Sequence, residues 1–296
     1  MTDLDLGYSI SSAFGAGEDP EAAAAAVLDR AALAAEGGYD LVEAGDHHAA
    51  AGYGYLQNVP MAARLAGSFD RVAAMFLLPL YHPVHVAEDG GTLDTLVDAL
   101  DVWCAVGYNE SAFAAFGVPL EERAGRMEES LALLDALWSE DGVRFEGEYY
   151  AVDGASVNPK ADARICIGGT ARPAVERAAR LGDAWVANAD LPLAGIEKRV
   201  RTVEEHGDDV DVIVRRDALV LEDGERAEAA ARALLEGGYR GWGPDADWLL
   251  VGDPGSVAAE LATLRDAGAS EVVVRPMAGE HAAATLRGVA AARDAL

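Results

Sequence analysis

Two residue types are nearly missing. The chain has two cysteines, Cys104 and Cys166, and two lysines, Lys160 and Lys198; every other basic residue is arginine. Two thiols cannot staple a fold, and they read as small buried residues of a reducing compartment, the cytoplasm. The arginines form no strong cluster. That excludes binding to nucleic acid by phosphate neutralisation, and docking on an anionic membrane surface. No apolar run reaches the roughly 18 residues of a membrane span. The opening residues Met1-Thr2-Asp3-Leu4-Asp5 have neither the basic segment nor the apolar core of a secretory signal, so a cytoplasmic chain is expected. A Gly-x-Ser-x-Gly elbow, a P-loop and a Cys-x-x-Cys pair are also missing.

What is present is acid and apolar bulk. The 296 residues carry 51 Asp and Glu against 23 Lys and Arg, a net charge of −28, and 51% are hydrophobic. Such a chain is too apolar for disorder and long enough for a large core. Abundant Asp, Glu and Ala with little Lys suggests a halophile, with a merely acidic mesophilic protein as the other reading. In molar salt the Debye length falls to about 3 Å and the self-repulsion largely disappears.

Eight short, mostly apolar runs read as strands: Leu4–Ile10, Tyr39–Ala44, Val72–Leu78, Val102–Gly107, Arg164–Gly168, Asp183–Ala187, Val210–Leu221 and Glu271–Arg275. Continuous apolar runs are expected of parallel strands covered on both faces. Helical segments alternate with them. Asp19-Pro20 and Asp253-Pro254 open two, and Leu120, Ala124, Met127, Leu131, Leu134 and Trp138 form the apolar stripe of another. Two inter-strand intervals are about twice the usual length, the first holding a hairpin pattern at Arg144–Val152 and the second the Gly- and Trp-rich Gly237–Asp253. The expected fold is therefore α/β: one (β/α)8 TIM barrel over residues 1–296, with insertions after strands 4 and 7. A doubly wound sheet is the rival, but Ser11–Gly17 lacks the Gly-x-Gly-x-x-Gly spacing.

A barrel carries its chemistry where its strands end. Strand 2 ends in Glu43, Asp46, His47 and His48, strand 3 in Pro79, Tyr81 and His82, strand 4 in Gly107, Tyr108 and Asn109, and strand 5 in Gly168, Gly169 and Thr170. A glycine turn opening a helix is built to approach an anion such as phosphate, although an ordinary βα turn can carry the same glycines. Asp46 beside His47 suggests a proton-handling imidazole with a carboxylate to fix its tautomer. A polar solvated loop and a metal site with His82 or His85 are the other readings of that cluster. Adjacent histidines on an extended chain face opposite ways, which disfavours one shared ion.

Several segments together resemble the luciferase-like monooxygenases. They are Leu78–Pro83 with Ala87-Glu88 and Thr92–Asp94; Phe116–Pro119 with Glu121–Arg123; Phe145–Tyr150; Ile167–Thr170; Ala178–Trp185; and Val251–Pro254. The order is collinear over nearly the whole chain. The resemblance implies a barrel that binds FMN or the deazaflavin coenzyme F-420 and performs monooxygenation or hydride transfer on a small molecule, with a homodimer as the family's assembly. It places the cofactor phosphate at Gly168, Gly169 and Thr170, the working pair at Asp46 and His47, and the ring near Leu77 and Leu78, with Val106 and Gly107 completing the frame. Deazaflavin-binding members often carry a cis non-proline peptide at the end of strand 3. Organisms of molar salt include makers of the deazaflavin, which favours it over FMN. The chain departs from the family at strand 4, where Gly107-Tyr108-Asn109 lacks the usual arginine. That departure supports a second expectation, a cofactor-binding or regulatory barrel without turnover.

Overall fold

The computed structural model describes residues 4–49, 51–207 and 209–296. Among these residues eight parallel strands form the central sheet: β1 (Asp5–Ser9), β2 (Leu41–Ala44), β3 (Arg71–Leu77), β4 (Ala99–Ala105), β5 (Arg164–Gly168), β6 (Ala184–Ala187), β7 (Asp211–Val220) and β8 (Glu271–Pro276). Each strand pairs with its sequential neighbours, and β8 pairs with β1, so the sheet closes into a barrel. The expected (β/α)8 architecture is the observed one. No described helix is long and apolar enough to cross a membrane.

Period-two alternation splits the strand residues between two cores. Leu41, Ala73, Trp103, Cys166, Ala184, Val186, Ile213 and Val273 fill the inside. Gly7 makes room for them, because a Cβ there would lie 2.7 Å from Val273 Cγ2. The opposite face, including Leu6, Val42, Val72, Phe76, Val102, Ile167 and Val214, packs on helices through Val27, Leu134, Val175, Leu261 and Leu286. Beneath the inner apolar layer, at the N-terminal ends of the strands, Arg71 bonds Glu271 at 2.9 Å and Asp5 at 3.2 Å. Arg164 bonds Asp211 at 2.6 Å and Asp101 at 3.3 Å.

The helix starts follow the capping residues. Asp19 accepts the Glu21 N–H at the start of Pro20–Glu36, and Asp253 accepts from Gly255 and Ser256 at the start of Pro254–Asp266. Met127, Leu131 and Leu134 are buried on Arg123–Ser139, whereas Leu120 falls in a separate 3-10 turn, Leu120–Glu122. The insertion after β4 holds the hairpin of Val143–Glu146 with Ala151–Ala155. The one after β7 adds a short strand, Leu250–Gly252, beside Ala218–Val220. A second two-stranded ribbon has no counterpart in the sequence reading. Ala13–Gly15 pairs antiparallel with Tyr53–Tyr55, tying together the loops after β1 and β2.

Candidate active site

After β2 the extended chain alternates through Gly45, Asp46, His47 and His48. Asp46 and His48 therefore share one side and His47 takes the other. The Asp46 carboxylate is fully buried and satisfied by three donors. It accepts the Leu77 N–H at 2.8 Å and the Tyr81 hydroxyl at 3.1 Å, and His48 Nε2 lies 2.9 Å from Oδ1. Burial and the Asp46 charge push the Tyr81 hydroxyl far above its ordinary range, so it stays a neutral donor. The same hydroxyl lies 2.9 Å from His48 Nε2, and Phe116 packs on the imidazole with centroids 4.9 Å apart.

The expected Asp46–His47 pair is thus corrected: Asp46 holds His48. Period-two geometry decides it, since neighbours along an extended chain cannot face the same partner. His47 instead meets the Tyr53 hydroxyl through Nε2, stacks on the Tyr53 ring at 5.5 Å and leans on Tyr55 at 5.6 Å. Partial burial, and next the neighbouring His48, lower the His47 pKa below its ordinary value against the opposing pull of Asp46. A neutral imidazole at neutral pH is the result.

β3 ends at Leu77 in a 3-10 turn, Leu78–Leu80, that Pro79 starts with its fixed φ. The cis peptide that deazaflavin-binding members often carry here is not found in this chain, which has Pro79 at the turn; the cis peptide among the described residues is Asn158–Pro159. Leu77 is partly exposed beside Gly107, whose absent Cβ would lie 3.8 Å from Leu77 Cδ1. Leu78 does not face the mouth. It is 0% exposed in the core beneath the helices, because alternation turns it away from Leu77. Val106 and Gly107 are half-buried at the end of β4, and Gly107 has φ +73°. Asn109 caps the short helix Glu110–Phe116 by accepting the Ser111 N–H at 3.1 Å. His82 similarly caps Pro83–Asp94 by accepting the Val84 N–H at 3.3 Å. His85 is exposed, 3.8 Å from Glu88. Among the described residues no three His, Cys, Asp or Glu side chains converge as metal ligands.

The turn after β5 is oriented from behind. Trp185 Nε1 donates to the Gly169 carbonyl at 2.7 Å, and Arg199 Nε donates to the Thr170 carbonyl at 2.6 Å. In a trans peptide the N–H points opposite to the C=O. The Thr170 and Ala171 N–H groups therefore point away from those two side chains, at the start of a helix, Arg172–Leu181, with no side-chain cap. Gly169 is required sterically, with φ +143° and a notional Cβ 2.7 Å from Ala174. Gly168 is not, since a Cβ there would meet nothing closer than 3.6 Å. The Arg172 side chain is taken by Glu176 at 2.6 Å.

One wall of the mouth escaped the sequence reading. Arg215 and Asp217 interrupt β7 at alternate positions and face the barrel interior with Arg275 of β8. Asp217 is 2% exposed and accepts from Tyr239 at 2.7 Å, Arg275 at 2.8 Å and Arg240 at 3.0 Å. The two arginines hold its carboxyl below the usual range despite burial. Arg216, between them, turns outward and ties the loop after β6 by donating to Leu191 O at 3.0 Å. Burial lowers its pKa to about 10. Three consecutive charged residues inside an apolar run were the available signal.

The model of the luciferase-like monooxygenase family matches residues 4–271. The chain belongs to this family. Among curated members it is 27% identical over 223 residues to an F-420-dependent glucose-6-phosphate dehydrogenase of Nakamurella multipartita, covering 68% of this chain and 65% of that one. It is 32% identical over 136 residues to an FMNH(2)-dependent dimethylsulfone monooxygenase of Pseudomonas fluorescens, covering 44% of this chain and 37% of that one. The chain thus spans less than two thirds of these relatives. The fold superposes on the Streptomyces bottropensis monooxygenase RslO1 with a TM-score of 0.83 at 20% identity, over 97% of this chain and 98% of that one. It superposes on an F-420-dependent secondary alcohol dehydrogenase with a TM-score of 0.79 at 16% identity, over 97% and 98%.

Proposed function

We propose that this family member is a single-domain oxidoreductase that binds reduced coenzyme F-420 or FMN at the barrel mouth. It would act on a small organic substrate by hydride transfer or monooxygenation. One observation carries the reading: Trp185 and Arg199 hold two successive carbonyls and so turn the Thr170 and Ala171 N–H groups to the opposite side, where neither has a hydrogen-bond partner among the described residues, at a helix start without a side-chain cap. Leu77, Val106 and Gly107 would frame the ring. The bound cofactor supplies the hydride or oxygen chemistry, and the protein supplies binding, orientation and electrostatics.

His47 is the residue we assign to proton handling, through Nε2 at the Tyr53 hydroxyl, with its lowered pKa favouring the neutral, accepting form. Asp46 acts as a positioning residue that fixes the end of β3 through Leu77. The relatives include enzymes named for each cofactor, and the molar-salt composition favours the deazaflavin. A cytoplasmic, halophilic homodimer completes the proposal.

Absorbance titration of the protein in molar KCl with F-420 and with FMN tests it. The expected result is micromolar binding of one cofactor. His47→Ala should leave that binding intact and abolish turnover across a substrate panel. If neither cofactor binds at micromolar concentration, the reading fails.

A further inference from the structure

Two buried carboxylates on the inner face of the barrel, Asp217 of β7 and Glu43 of β2, are treated very differently. Asp217 is saturated by short bonds to Tyr239, Arg275 and Arg240. Glu43 of β2 is 0% exposed, and neither of its oxygens has a hydrogen-bond donor among the described residues. Its nearest cation, Arg215 Nη2, stands 3.5 Å away, beyond a charge-assisted bond. The guanidinium of Arg215 makes a single hydrogen bond among the described residues, to Ser9 Oγ at 3.3 Å, and lies over the Trp103 ring at 5.8 Å. It remains 25% exposed. Gly45 makes room beside the pair, since a Cβ there would lie 2.7 Å from the Tyr55 hydroxyl and 3.4 Å from Glu43 Oε1. Three carboxylates, Glu43, Asp46 and Asp217, match three guanidinium groups, Arg215, Arg240 and Arg275, at this end of the barrel.

A buried carboxylate without donors is costly, and native structures rarely leave one so. Glu43 needs a donor and Arg215 needs an acceptor, side by side. We propose that Glu43 and Arg215 form a recognition subsite for a small hydroxy acid, whose hydroxyl donates to Glu43 and whose carboxylate accepts from Arg215. This rests on the mouth being the active site proposed above, and it names the class of substrate. The partly exposed guanidinium meets the carboxylate, and the hydroxyl supplies the hydrogen that Glu43 lacks. Tyr55, from the loop after β2, places its hydroxyl beside Gly45 and near Glu43. Its hydroxyl is kept neutral by burial and by Glu43.

Calorimetric titration of the full chain in molar KCl, with and without cofactor, uses lactate and propionate as probes. Lactate should bind at least about tenfold more tightly than propionate, as expected for a hydrogen bond to a charged group. Glu43→Gln should erase that discrimination, and Arg215→Gln should weaken both acids. Cofactor affinity by absorbance should stay within about twofold in both variants, since Glu43 and Arg215 lie away from the β5 turn. Equal binding of the two acids by the unmodified protein, no binding of either, or discrimination that survives Glu43→Gln would overturn the proposal. The contrast in the unmodified protein decides even if a variant does not fold. A failed cofactor titration sinks the redox reading, whereas the lactate–propionate contrast is read without cofactor.

Discussion

Removing the Asp46 carboxylate should cost stability, and removing its neighbour His47 should not. Asp46→Ala deletes the shared acceptor of the Leu77 N–H, the Tyr81 hydroxyl and His48 Nε2. A net hydrogen bond to a charged group contributes about 1.5–3 kcal/mol, and a buried donor left unpaired adds about 1–3 kcal/mol. The three bonds share one acceptor and do not add, so a loss of roughly 3–5 kcal/mol is expected. Asp46→Asn keeps an acceptor for Leu77 and should lose about half as much, roughly 2 kcal/mol. His47 is partly exposed and bonded to an exposed tyrosine, so His47→Ala should cost under about 1 kcal/mol. Urea unfolding in molar KCl, followed by tryptophan fluorescence, measures all three. The assignment of Asp46 to positioning is refuted if Asp46→Ala costs no more than His47→Ala.

The two glycines of the β5 turn should separate folding from binding. Gly169→Ala forces a methyl to 2.7 Å from Ala174 at φ +143°, costing about 1–3 kcal/mol, while Gly168→Ala meets nothing within 3.6 Å and should change stability by under about 0.5 kcal/mol. If Gly168→Ala leaves cofactor affinity untouched, the phosphate does not sit there. At the other end of the barrel, burial raises the Glu271 pKa to about 7 in spite of Arg71 and Arg164. A raised folded-state pKa means stability that is complete below the unfolded value of 4.5 and lost as pH rises through about 7. Relative to Glu271→Gln, the unmodified protein should therefore lose stability of order 3 kcal/mol across that window; equal pH profiles for the two would contradict it. Finally, the −28 charge predicts a melting temperature that rises as KCl is increased from about 0.1 M to about 1 M, where the Debye length shrinks from about 10 Å to about 3 Å; a flat response would remove the case for salt adaptation.

The barrel was legible because its strands are covered on both faces. Runs such as Val72–Leu77 and Val272–Val274 are apolar throughout, and the helix starts carry Asp-Pro caps that act within a few residues. The glycine turn after β5 was legible for the same reason, since its geometry is local. The ribbon of Ala13–Gly15 with Tyr53–Tyr55 was not, because two three-residue strands from different loops leave no periodicity to read.

The sequence by itself determined the closed α/β barrel and the strand ends where chemistry belongs, because burial and chain stiffness write those into neighbouring residues. Only the tertiary structure decided who touches whom at the mouth. It gave Asp46 to His48, Leu77 and Tyr81, turned Leu78 into the outer core, and set Glu43 and Arg215 together although 172 positions separate them. Such partnerships depend on the direction in which each side chain leaves a closed barrel, and that direction exists only once all eight strands are in place.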